Sequence, residues 1–147
     1  MSKAAWLLDV NALIALLSPD HIYFDAIHNW FAIHSKLGWA TCPLTQNGAI
    51  RIVSQIGRSR PQQVIDKLSE TISQHAALHH FWPDEVSLTD ESIFQPAFIT
   101  GPRLVTDAYL LGLAHKHGAR LVSFDRNLPW QAIKGGSARL VLSPLLQ

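Results

Sequence analysis

The clearest sign of the fold is an apolar run that stops at a carboxylate, Ala4-Ala5-Trp6-Leu7-Leu8-Asp9-Val10-Asn11. A continuous apolar run of this length is typical of a strand that is buried on both faces of a sheet. Residues 12–17 are good helix formers, so the polar turn at Asp9 leads into a helix. The start of the chain therefore predicts a strand, a turn and a helix, with Asp9 at the carboxyl end of the strand.

Short apolar runs and helical segments continue to alternate along the chain. Further strands are predicted at residues 38–42, 78–82, 120–124 and 140–142, and further helices at 21–34, 45–56, 62–74 and 107–117. Pro61 suits the first turn of a helix and Gly118 suits a helix end, whereas residues 84–102 indicate only a short helix and a loop. The pattern predicts one α/β domain over residues 1–147, with a central, mainly parallel sheet and helices on both faces.

The composition narrows the class of protein. Of 147 residues, 48% are hydrophobic and 16% are charged, which excludes a disordered chain. A single cysteine, Cys42, excludes a disulfide framework and fits a reducing compartment. A formal charge of +1 means that any polyanion site must be a local patch. No apolar run is long enough for a membrane span or a signal peptide, so we expect a cytoplasmic protein with no membrane association.

Three of the eleven acidic residues stand apart from the others. Asp9 and Asp125 each follow an apolar strand, and Asp107 opens a helix after an apolar segment. Ligands of open α/β sheets bind at the carboxyl ends of the strands, so the three side chains are candidates for one site. Singly, each also has a structural interpretation, as a helix cap (Asp9 or Asn11), a first-turn acid or an Asx turn. The other acids are expected to be ordinary surface groups: Asp20, Asp25, Asp66, Glu70, Asp84, Glu85, Asp90 and Glu91.

Three carboxylates at one edge of a sheet repel one another unless a proton or a cation intervenes. Oxygen ligands without cysteine favour Mg²⁺ or Mn²⁺ over zinc. Such an ion can activate a water molecule and neutralise the charge that develops on a phosphodiester. The pattern therefore predicts metal-dependent cleavage of phosphodiester bonds. His75 and His79 share a helical spacing, but no Glu-x-x-His arrangement accompanies them, so no zinc site is predicted.

The segments that carry these acids resemble the acidic motifs of PIN-domain nucleases, and most closely those of the VapC toxins of bacterial toxin–antitoxin pairs. The segments are Leu7-Leu8-Asp9-Val10-Asn11, Thr106-Asp107-Ala108-Tyr109-Leu110 and Ser123-Phe124-Asp125-Arg126-Asn127. Residues 39–48 and 81–84 also look like VapC, so the resemblance spans nearly the whole chain.

The resemblance implies a three-layer α/β/α PIN-like fold and an endoribonuclease that holds Mg²⁺ (or Mn²⁺) through Asp9, Asp107 and Asp125. It also implies a cognate antitoxin protein, a homodimer, and a structured RNA substrate of the transfer or ribosomal class. Which RNA is cut varies within the family and does not carry over to this chain.

The chain departs from the family pattern at two positions. PIN domains commonly have a glutamate where this chain has Gln46, and often a further acid where it has Asn127. A carboxamide oxygen can coordinate a cation, but it brings no charge and cannot act as a base. We therefore expect Gln46 to orient water or a neighbouring ligand, and a second ion to bind less well. The alternative is a PIN scaffold that binds RNA or an antitoxin without cutting.

Several further residues are candidates for supporting roles. Asn11 is expected to support the site, and Thr106 to cap the helix and steady Asp107. Arg51 and Arg126 are candidates for phosphate contacts with RNA. Gly48, inside a predicted helix, indicates close backbone packing. The apolar faces of residues 12–17 and 22–31 are candidates for an antitoxin or dimer surface.

Overall fold

A computed structural model describes residues 3–146 and contains a five-stranded sheet. The strands are β1 (Trp6–Leu8), β2 (Trp39–Thr41), β3 (His79–Phe81), β4 (Arg120–Val122) and β5 (Val141–Leu142). Their order is β3-β2-β1-β4-β5, and every pairing between neighbours is parallel. The predicted α/β class with a mainly parallel sheet is confirmed.

Five α-helices connect and cover the strands, namely α1 (Val10–Leu17), α2 (Phe24–His34), α3 (Pro43–Ile56), α4 (Pro61–Gln74) and α5 (Val105–Lys116). Proline opens α3 and α4, where its fixed φ suits the helix and its missing N–H costs nothing. Gly118 follows the end of α5 with a φ of +67°, as expected of a glycine after a helix. No helix among residues 3–146 is long and apolar enough to cross a membrane.

The strands divide their side chains between two hydrophobic cores, which makes three layers. Leu7 and its neighbours on β2 and β4 pack against α5 and residues 86–94. Trp6 and Leu8 point the other way, into a core built with α1, α2, α3 and α4. Because successive strand residues face opposite sides, a run that is apolar throughout is what a sheet covered on both faces requires. The three-layer α/β/α arrangement is therefore confirmed.

Gly48 and Gly112 mark places where helix backbones approach a neighbour closely. A Cβ at Gly48 would lie 3.1 Å from Val10 Cγ2, so the predicted close packing of α3 is confirmed. A Cβ at Gly112 in α5 would lie only 2.4 Å from Phe94 Cζ. Phe94 is 1% exposed and forms an antiparallel bridge with Ile133, so its ring is held between α5 and the last third of the chain.

Residues 84–102 contain turns and a short 3₁₀ helix (Pro96–Phe98), which agrees with the predicted short helix and loop. Phe94 ties this segment to Ile133 through an antiparallel bridge. Two other local predictions need correction. Helix α5 begins at Val105, so Thr106 lies in its first turn instead of capping it. The apolar faces of α1 and α2 mostly belong to the core, although Ile33 of α2 is 67% exposed and Ile22, which lies between the two helices, is 84% exposed.

Candidate active site

The sheet reverses its strand order between β1 and β4, and this point lies beside the predicted acids. The chain runs outward from β1 through β2 to β3, and later returns to the other side of β1 to form β4 and β5. Leu8 pairs with Val122, so the carboxyl ends of β1 and β4 are side by side. Asp9 follows one strand and Ser123 the other. Such a switch point is where ligands of open α/β sheets bind.

Asp9 is held firmly at this edge. It is 5% exposed; its Oδ1 accepts a 2.8 Å hydrogen bond from the Val10 N–H, and its Oδ2 accepts a 2.7 Å bond from the Ser123 hydroxyl. The pKa of Asp9 is raised to about 6, chiefly by burial and also by the charges of Asp107 and Asp125, while its two hydrogen bonds oppose the shift. The bond to Val10 also makes Asp9 the N-cap of α1. Asp9 can therefore serve both as a helix cap and as a residue of the candidate site.

Ser123 joins the two strand ends. Its fully buried hydroxyl donates to Asp9 and accepts from Asn11 Nδ2 at 3.0 Å and from the Asp125 N–H at 3.1 Å. One donated and two accepted bonds use the whole capacity of a hydroxyl. Asn11 completes the link, because its Oδ1 accepts from the Phe124 N–H at 3.1 Å. Sequence reasoning missed Ser123 as a site residue, although its place after β4 matches that of Asp9 after β1.

Asp107 and Asp125 lie close enough to Asp9 for their charges to raise its pKa. Burial and the charge of Asp125 raise the pKa of Asp107, which sits in the first turn of α5, and Arg103 lowers it. Asp125 is exposed, and its Oδ1 accepts a 2.8 Å bond from the Asn127 N–H, which forms the predicted Asx turn.

Asp9, Asp107 and Thr106 line one open cavity of about 950 Å³. Asp125 acts on the pKa of both other acids but does not line this cavity. Within residues 3–146, no three carboxylate, imidazole or thiol groups form a set that could hold a metal ion as they stand. The donor chemistry nevertheless suits a hard divalent cation, because the donors are carboxylate oxygens and neighbouring carboxylate charges help to raise the pKa values of Asp9 and Asp107.

The remaining sequence candidates occupy different places. Arg51 lines the cavity, whereas Arg126 is exposed outside it. Gln46 also lies outside the cavity lining, and its Nε2 donates to Thr41 Oγ1 at 3.0 Å. The same hydroxyl is 2.8 Å from His79 Nε2. Burial, with help from His80, lowers the pKa of His79 to about 4, so this ring is neutral at pH 7.

Asp84 is a cavity acid that sequence reasoning assigned to the ordinary surface. It is exposed as predicted, but it lines the cavity with Asp9 and Asp107. It also raises the pKa of the Cys42 thiol and of Tyr109, in both cases after the larger effect of burial. Asp84 follows β3 by three residues, so the strand-end rule that selected Asp9 and Asp125 could have selected it too.

The fold and this acidic edge define a PIN domain, and the family model of that description matches residues 6–134. Three proteins of Mycobacterium tuberculosis (strain H37Rv) are similar along most of their length. Ribonuclease VapC44 is 39% identical over 134 residues, which cover 89% of this chain and 93% of that protein. For Ribonuclease VapC38 the identity is 43% over 126 residues, covering 81% and 84%. For Ribonuclease VapC39 it is 42% over 134 residues, covering 88% and 94%. The chain belongs to the VapC family of PIN-domain ribonucleases.

Proposed function

We propose that this protein is a metal-dependent endoribonuclease, the toxin of a toxin–antitoxin pair, which hydrolyses phosphodiester bonds of structured RNA of the transfer or ribosomal class. The observation that supports the proposal most directly is electrostatic: near the switch point of the sheet, the charges of Asp107 and Asp125 raise the pKa of Asp9, and the charge of Asp125 raises that of Asp107. The relatives named ribonuclease VapC support the same activity.

In this proposal Asp9, Asp107 and Asp125 would hold Mg²⁺ or Mn²⁺, and an ion bound there would supply an activated water and neutralise charge on the phosphate. Ser123 fixes the carboxylate of Asp9, and Asn11 fixes the turn that carries Asp125. The Asn127 N–H holds the carboxylate of Asp125.

Four further residues have proposed roles around these acids. Thr106 offers a hydroxyl to the cavity, and Arg51 and Arg126 meet RNA phosphates. Gln46 acts through its bond to Thr41 and not as a base, because a carboxamide takes up no proton at neutral pH.

Metal dependence is tested by cleavage of labelled transfer and ribosomal RNA with purified protein. We expect cleavage with Mg²⁺ or Mn²⁺ and none in excess EDTA. Asp107→Asn should lower the rate by more than about 100-fold, since even the hydrogen-bond partners of metal ligands are worth about 10–100-fold. Asp66→Asn, which changes an exposed acid on α4, is the matched control and should cleave at the wild-type rate. Equal cleavage with and without EDTA would rule out the metal-dependent mechanism.

Ser123→Ala should lower the cleavage rate by about 10–100-fold, because Asp9 loses the donor that fixes its carboxylate and favours its ionised form. The rate should recover partly as the pH is raised, since the pKa of Asp9 increases when this donor is lost. Ser73→Ala, at an exposed position of α4, is the control. A variant with a wild-type rate at every pH would show that Asp9 needs no such support.

A scaffold that binds RNA or an antitoxin without cutting is the second candidate. It is favoured by Gln46, which brings no charge, and by the absence of a preformed ligand set within residues 3–146. RNA binding without any metal-stimulated cleavage would support the scaffold.

The toxin proposal carries three further expectations about the whole protein. We propose that it acts in the cytoplasm, as a homodimer of single-domain chains, and that a cognate antitoxin protein inhibits it. The mass of the purified protein in solution tests the dimer, and loss of cleavage on adding the neighbouring gene product tests the antitoxin.

A further inference from the structure

One row of polar side chains on α3 extends the cavity away from the acids. Asn47, Arg51 and Gln55 are four residues apart, so they share one face of the helix. All three are exposed, and all three line the cavity that Asp9, Asp84 and Asp107 also line. We refer to these three residues as the α3 row.

The α3 row differs from the other polar side chains of its helix. Thr45 accepts from the Cys42 N–H, Gln46 donates to Thr41, and Ser54 donates to the Ile50 carbonyl. By contrast, no side chain of the α3 row takes part in a hydrogen bond or an ion pair within the part of the chain that the structure describes. The row therefore presents unused donors to the cavity.

The direction of the row is fixed by the packing of α3. Gly48 lies against Val10, the residue after Asp9, so the Asn47 end of the row is beside the turn that carries Asp9. Four residues of helix rise about 6 Å, so the row extends about 12 Å from this turn towards the end of α3. The distance from one residue of the row to the next is therefore comparable to the separation of adjacent phosphates in an extended nucleic acid strand.

We propose that the α3 row is the track along which the sugar-phosphate backbone of the RNA substrate lies as it approaches the carboxylates. This inference rests on the proposed function and assigns the substrate contacts of the same site. The Arg51 guanidinium pairs with one phosphate, and the Asn47 and Gln55 amides donate to its neighbours. Aspartates at one end repel phosphates, so an anionic strand needs such donors farther along the cavity to be held in place.

The chemistry of the α3 row has a consequence for specificity. Contacts to phosphates fix the position of a strand but carry no information about its bases. The row therefore holds RNA of any sequence, and the choice of the cleavage site depends on the shape of the RNA or on contacts elsewhere on the protein.

The test measures equilibrium binding of a fluorescein-labelled oligouridylate in EDTA, where no cleavage occurs, at several salt concentrations. We expect Arg51→Ala to weaken binding by about 10-fold and to reduce the salt slope by about 0.7, the value for one phosphate of a single strand. Arg51→Lys should keep the slope. Asn47→Ala and Gln55→Ala should each weaken binding by about 3-fold and leave the slope unchanged, since each loses a hydrogen bond but no charge.

Matched controls lie outside the cavity at exposed positions, namely Lys36→Ala, Asn29→Ala and Gln74→Ala. Lys36 precedes β2 and Gln74 precedes β3, so both lie towards the opposite edge of the parallel sheet. These variants should bind the oligonucleotide as the wild type does. Because all six positions are exposed, the folded state should survive each change, and thermal unfolding verifies this.

The outcomes separate this inference from the proposed function. Wild-type RNA cleavage together with unchanged binding by all the α3 row variants would overturn the track and leave the ribonuclease intact. Row variants that bind RNA normally but lose binding of an antitoxin protein would also overturn it and assign the row to a protein partner. A wild type that neither binds nor cleaves RNA would overturn both proposals.

Discussion

Asp9→Asn should abolish RNA cleavage and, in the same protein, increase the free energy of unfolding at neutral pH. The loss of cleavage should exceed about 100-fold, because the substitution removes the charge of a proposed metal ligand. The gain in stability follows from burial. Asp9 is 5% exposed and lies near Asp107 and Asp125, so its negative charge is unfavourable in the folded state when no cation is bound.

The pH dependence of this gain has a definite sign. The pKa of Asp9 is about 6 in the folded protein and 3.8 in a model peptide, so between these values the folded state binds more protons. Its contribution to stability therefore decreases as the pH rises from about 4 to about 6, and the full penalty is present above this range. The difference of about 2 pKa units corresponds to a gain of about 1–3 kcal/mol for the asparagine variant at pH 7.5, and to almost none near pH 4.

Urea denaturation in EDTA at pH 7.5 and pH 4 measures the gain. The comparison with wild type at each pH removes the contribution of His79, whose lowered pKa acts with the opposite sign over the same range. Asp66→Asn is the control for loss of an exposed carboxylate. Wild-type cleavage by Asp9→Asn, or equal destabilisation at both pH values, would contradict the assignment of Asp9.

Gly112→Ala should destabilise the protein, although alanine is the better helix former. The substitution gains about 1 kcal/mol of helix propensity but places a methyl group 2.4 Å from Phe94 Cζ and 2.5 Å from Cε1. Phe94 is 1% exposed and forms a bridge with Ile133, so its ring has no free space to enter. Overpacking of a tight core costs about 1–3 kcal/mol, so we expect a net loss on the order of 2 kcal/mol.

Denaturant unfolding measures this loss, with Gly101→Ala as the control. A Cβ at Gly101 would meet no atom within 4 Å, and its φ of −166° suits any residue, so this change should be nearly neutral. Phe94→Leu removes the ring atoms that the new methyl group would meet. It should therefore cost less in the Gly112→Ala background than in wild type, with a coupling of about 1 kcal/mol or more. If the effects of Gly112→Ala and Phe94→Leu on stability were additive, contact with the Phe94 ring would not explain the cost of a side chain at position 112.

The parts of the fold that were predictable depend on local chemistry. Pro61 marked the start of α4, and the apolar runs around Leu7 and Leu121 marked strands that the sheet buries on both faces. That Asp9 and Asp125 lie near each other was also predictable, because the carboxyl ends of parallel strands share one edge, and Asp107 joins them because α5, the helix that leads into β4, begins at that edge. These features follow from local sequence patterns or from the common direction of the strands in a parallel sheet.

The parts that were not predictable depend on contacts between distant residues. Residues 84–102 take their path from Phe94, which packs on Gly112 and pairs with Ile133, and no local pattern encodes this. The bond from Gln46 to Thr41 likewise depends on how α3 sits on the sheet. The apolar faces of residues 12–17 and 22–31 were candidates for an antitoxin or dimer surface, because a sequence does not show how many helices share one side of a sheet.

The Ser123 hydroxyl already makes all the hydrogen bonds that a hydroxyl can make, which restricts the acids that are bonded to it. Asp9 and the backbone of Asp125 are both tied to this hydroxyl, so reorienting either would break a buried hydrogen bond. The Asp107 side chain makes no hydrogen bond within residues 3–146. In the proposed metal site we therefore expect Asp107 to be the ligand whose side chain can reorient, whereas Asp9 and the backbone of Asp125 are held in place.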